Sequence, residues 1–62
     1  MPDIEVRNAG TIFTFTPVSN KGLEWLETYA GDAQRFGSAF IVEHRYAQEI
    51  AQAALDYGLE VE

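Results

Sequence analysis

The sequence predicts an α+β domain of order ββαββα, a mainly antiparallel sheet of about four strands with two helices packed on one face. Three observations carry this expectation. A hairpin followed by a helix occurs twice, from Asp3 to Ala30 and, in shorter form, from Ala33 to Gly58. Apolar residues alternate with period two in the opening half of the first unit. An apolar stripe at helical spacing runs through the closing half of the second.

The first strand is expected over 3–7, where Ile4 and Val6 alternate with Asp3, Glu5 and Arg7. The second is expected over 11–16, where Phe13 and Phe15 alternate with Ile12, Thr14 and Thr16. β-Branched and aromatic residues suit such half-buried strands. Asn8-Ala9-Gly10 lies between them, and both Asn and Gly tolerate positive φ, as a three-residue hairpin connection requires. Pro17 ends the second strand because it cannot donate to a ladder.

Ser19 has the chemistry of an N-cap, with Val18 and Leu23 placed for a hydrophobic staple. The first helix then runs to Tyr29 or Ala30, and Gly31 stops it. Leu23, Leu26 and Ala30 share one face, with Trp25 and Tyr29 at i,i+4 spacing on its flank. Gly22 weakens the first turn, and the sequence offers no reason for it. Gly37-Ser38 suits a two-residue type II′ turn between Ala33–Phe36 and Ala39–Val42. The alternative is a loop leading into one buried strand. The tight turn pairs Phe36 with Ala39 and Gln34 with Ile41. Phe36, Ala39 and Ile41 then share one sheet face, and Phe40 and Val42 share the other.

The second helix is expected from Glu43–Arg45 to Tyr57, with Gly58 at C′. Ala47, Ile50, Ala51, Ala54 and Tyr57 form its apolar stripe, opposite Arg45, Gln48, Glu49, Gln52 and Asp56. Leu59 and Val61 alternate with Glu60 and Glu62, which allows a short edge strand. The other architecture compatible with the pattern is a three-stranded mixed sheet, with the first helix as a βαβ crossover.

Sixty-two residues make a single domain, 1–62, with a thin core. There is no cysteine, so neither disulfides nor thiolate metal sites brace it. Ten acidic against four basic residues give a net charge of −6. That balance disfavours direct nucleic-acid binding and anionic membranes, and favours basic partners. Met-Pro-Asp lacks the basic and apolar regions of a signal peptide. No apolar run approaches the ~20 residues of a membrane span. A cytoplasmic location is expected, and the absence of cysteine is compatible with it.

The stretches GTIFTFTPVSNKGLEW (10–25) and FGSAFIVEHRYAQEIAQAALDYGLEV (36–61) resemble small uncharacterised bacterial proteins of the phage and prophage type. The likeness lies in the Gly-Thr-Ile opening, the Thr-Pro before a helix, the Val-Glu-His-Arg-Tyr run and the closing Gly-Leu-Glu-Val. Such proteins have no assigned activity, so no functional residues carry over. The resemblance implies a bacterial or phage cytoplasmic setting.

Catalytic and metal chemistry find little support. His44 is the only histidine, and its neighbours Glu43 and Arg45 do not face it on a helix. Ser19 and Ser38 are accounted for by a cap and a turn. Zinc needs more nitrogen or sulfur ligands than one histidine provides. A calcium loop needs alternating oxygen ligands with a glycine, and none is present. No glycine cluster cradles a phosphate. The expectation is a non-enzymatic chain with no cofactor and no metal.

Surface apolar residues are more informative. Helices in a chain this short cover one sheet face, which leaves Ile12 and Ile41 on the other. Phe36 joins them there. Trp25 and Tyr29 either add to a partner surface or, in the case of Trp25, fold back to complete the core. The candidate partner surface is therefore Ile12, Trp25, Tyr29, Phe36 and Ile41. The leading expectation is an interaction module that binds a protein partner or itself. The alternative is an acidic inhibitor that mimics nucleic-acid charge through Glu24, Glu27, Glu49 and Asp56 and binds a basic host protein.

Overall fold

The structure, a computed structural model, describes residues 1–62. Its elements are β1 (Ile4–Asn8), β2 (Ile12–Pro17), α1 (Asn20–Tyr29), β3 (Gln34–Phe36), β4 (Ala39–Glu43) and α2 (His44–Tyr57). The strands form one antiparallel sheet of order β1-β2-β4-β3. This is the ββαββα α+β architecture, not the three-stranded mixed alternative. The tail adds a short parallel bridge, Ile4 to Val61, along the outer edge of β1.

Both strands of the first hairpin lie one residue later than their expected start. Asn8 stays in the ladder opposite Phe13, and its side-chain oxygen accepts the Gly10 N–H at 2.9 Å. Gly10 takes φ +90°, so the connection is 9–11. The second hairpin has the expected register, with Phe36 opposite Ala39 and Gln34 opposite Ile41. Gly37 has φ +63° and Ser38 has no positive φ, which is the type II′ pattern.

Paired residues share a face, so register sorts the sheet into two sides. Ile4, Phe15, Phe40 and Val42 fall on one side and are buried. They form the core with Trp25, Leu26 and Ala30 at α1 and Ala47, Ala54 and Leu59 at α2 and its tail. Both helices therefore cover this side. Arg35, on the edge strand β3, pairs with Phe40 and reaches over its ring at 4.3 Å. A short edge strand with an inward-turned cation resists edge-to-edge pairing.

Asp3 ties three parts of the chain together. Its Oδ1 accepts the Ser19 hydroxyl at 2.6 Å, and its Oδ2 accepts the Glu60 N–H at 2.9 Å. Its backbone carbonyl accepts the Val18 N–H at 2.8 Å. Ser19 in turn caps α1 by accepting the Gly22 N–H at 3.0 Å. These two donors, the Glu60 N–H first and the Ser19 hydroxyl second, hold the Asp3 carboxyl below its ordinary value of 3.8. Gly22 has its explanation at the same place. It is buried, and a Cβ there would collide with the Asp3 carbonyl oxygen.

That close approach sets the rotation of α1. The buried positions are Gly22, Trp25, Leu26 and Ala30, while Leu23 is only partly buried. Gly31 ends the helix without positive φ; a Cβ there would strike the Glu27 carbonyl oxygen. α2 ends as expected. Gly58 adopts φ +102°, its N–H bonds the Leu55 carbonyl and the Leu59 N–H bonds the Ala54 carbonyl, both at 3.0 Å. This is a Schellman motif with its apolar contact at Leu59. Tyr57, expected in the buried stripe, is 61% exposed. The chain reverses at Gly58, and Leu59 fills the core in its stead.

Candidate interaction surface

The uncovered side of the sheet carries Ile12, Thr14 and Thr16 on β2 and Ala39, Ile41 and Glu43 on β4. All but Glu43 are partly buried by their neighbours. Glu5 and Arg7 of β1 share this side and pair at 2.8 Å. Gln34 and Phe36 complete it from β3, with Phe36 79% exposed. The surface is a polar–apolar mixture whose apolar part is Ile12, Ile41, Ala39 and Phe36.

A groove opens at one end of this surface. β3 begins only at Gln34, whereas β4 continues to Glu43. A turn closed by the Ala33 N–H on the Ala30 carbonyl, at 3.0 Å, brings the chain straight from α1 into β3. Val42 and Glu43 are left without a β3 neighbour. The resulting groove has a volume of about 570 Å³. Ile12, Ile41, Tyr29, Tyr46 and Ile50 supply most of its apolar wall, and Asp32 and Glu43 supply carboxylates. No lysine or arginine lines it.

Of the five residues the sequence singled out, Ile12, Tyr29 and Ile41 therefore come together. Phe36 lies on the same sheet face but outside the groove. Trp25 does not belong to the surface. It is 4% exposed and stacks under Tyr29 with ring centroids 4.6 Å apart. The rotation imposed by Gly22 turns it inward, and its indole N–H finds no hydrogen-bond partner. Tyr46 and Ile50 were not anticipated as surface residues. Ile50 belongs to the apolar stripe of α2, and it lines the groove beside the end of β4 that the late start of β3 leaves unpaired.

His44 is exposed, and its ring lies beside Phe13 with centroids 5.5 Å apart. None of the ion pairs includes it. No three His, Asp or Glu side chains group as metal ligands. The arginines are each held by a carboxylate of the chain: Arg7 by Glu5 at 2.8 Å, Arg35 by Glu27 at 3.7 Å and Arg45 by Glu43 at 3.5 Å. No helix is long and apolar enough to cross a membrane. Comparison of the chain with protein-family models, curated proteins and solved structures gives no match in any of the three.

Proposed function

We propose that this chain is a non-enzymatic, cytoplasmic interaction module that docks a protein partner, or a second copy of itself, on the side of the sheet left open by the helices. One observation carries the reading. Ile12 and Ile41 lie opposite both helices and meet Tyr29, Tyr46 and Ile50 at the groove. Apolar side chains gathered around a concavity and rimmed by polar ones are the usual anatomy of an interface. Catalysis has no comparable support, because His44 is in no ion pair and stands beside a phenylalanine.

The test is Ile41→Glu. The substitution lies on the uncovered face, so it costs about 0.5–1 kcal/mol of stability. Sedimentation and partner capture with wild type and variant read the effect. A complex, with itself or another protein, that forms with wild type and is lost with a folded variant supports the reading. Undiminished association of the variant contradicts it.

A second reading is favoured by the pairing of all three arginines with the chain's own carboxylates. No arginine is left over for the other carboxylates, and Glu24, Glu49 and Asp56 are in none of the ion pairs of a chain of net charge −6. A charge mimic of nucleic acid would use Glu24, Glu49 and Asp56 on the outer helix surfaces. Its binding to a basic protein would weaken steeply with salt and ignore Ile41→Glu.

A further inference from the structure

We propose that the groove beside the free end of β4 takes a cationic partner segment, one that places an apolar anchor between lysines or arginines. The proposal rests on the interaction reading above and specifies its partner. The shape comes first. A volume of about 570 Å³ falls within the range of ligand-binding clefts and holds a few side chains. Ile12, Ile41 and Ile50 with the rings of Tyr29 and Tyr46 make it apolar.

Charge selects the occupant. The only ionised groups that line the groove are the carboxylates of Asp32 and Glu43. Asp32 is exposed and makes no ion pair. Glu43 is held by Arg45 at 3.5 Å, and Arg45 also lies over the Tyr46 ring at 4.9 Å. Arg45 does not line the groove itself, but it sets a cation on a carboxylate and an aromatic ring that do, the arrangement an incoming lysine or arginine would reproduce. A second copy is the poorer occupant, because it brings another net −6 to a negative groove. An uncharged apolar segment would leave Asp32 without an ion-pair partner.

The probe is a short synthetic peptide with leucine and phenylalanine anchors flanked by lysines. Two companions replace its lysines with glutamines or its anchors with serines. Binding is followed by amide chemical shifts of the full chain, which also report that each variant is folded. The cationic apolar peptide is expected to shift groove residues, Tyr46 and Ile50 among them, and both companions to bind more weakly. Asp32→Asn with Glu43→Gln is expected to weaken binding about three- to tenfold. Arg45→Ala removes the internal competitor and is expected to strengthen it about two- to fivefold.

Several results overturn the inference. If the glutamine peptide binds as tightly as the cationic one, the charge selection is wrong while the apolar interaction surface stands. Shifts confined to the outer face of α2 around Glu49 and Asp56, indifferent to loss of the anchors, place cations on a solvated face instead. Absence of binding by every peptide, with a complex still lost in Ile41→Glu, moves the partner to the flat sheet face. Wild-type dimers that exclude the peptide assign the groove to a second copy.

Discussion

Gly22 shows how one side chain, or its absence, decides a surface. In a helix, glycine normally loses about 0.5–1 kcal/mol against alanine. Here the sign reverses, because a Cβ would meet the Asp3 carbonyl oxygen and β1 or α1 would have to move. Gly22→Ala is expected to destabilise the fold by about 1–3 kcal/mol in chemical denaturation. A stabilised variant would refute the close approach. The same contact explains why Trp25 was illegible as core or surface. Its i,i+4 spacing to Tyr29 places both on a flank, and only the docking of Gly22 says which of the two turns inward. Asp3 makes a second residue-scale prediction. Its folded value is depressed, so its contribution is fully present above the unfolded value, roughly pH 4, and is lost as pH falls through the folded value. Asp3→Asn is expected to lower the melting temperature at neutral pH and to flatten its acid dependence. An unchanged acid limb would show that Asp3 is not a source of it.

At the scale of elements, hairpins and caps were legible where local chemistry fixes them. Gly37-Ser38 specifies a two-residue turn, and that turn specifies the whole β3–β4 register. Ser19 and Gly58 mark their helix ends by the same kind of local rule. The first hairpin was less legible because Asn8 can serve either as loop residue or as last strand residue. Its side-chain bond to Gly10 decides for the strand. The α2 stripe was legible to within one side chain, Tyr57, since periodicity does not show where a reversed tail will place Leu59. The late start of β3, which opens the groove, left no periodic signal at all. Among core positions, Phe15 and Phe40 face each other across β2 and β4 and are fully buried. Phe15→Ala is expected to cost about 3–5 kcal/mol, comparable to what a single core in a domain of this size supplies. Circular dichroism should find the variant largely unfolded at room temperature. A cooperative melt near that of the wild type would mean the core is sturdier than its ten side chains imply.

The whole molecule divides its work between two sides of one sheet. The helix-covered side holds the buried apolar residues, and the open side mixes threonines, isoleucines and a salt-bridged Glu5–Arg7 pair. The edges are guarded, by the three-residue β3 with its inward Arg35 at one end and by the Glu60–Glu62 tail at the other. Guarded edges direct association away from strand addition and toward the face and its groove. The measurement that tests this most directly compares the proteins retained by tagged wild type and by tagged Ile41→Glu, with the fold of each verified by amide spectra. The account predicts a partner held by wild type and released by the variant, with other retained proteins unchanged. The same partner held equally by both would place the interaction elsewhere on the surface and contradict the account.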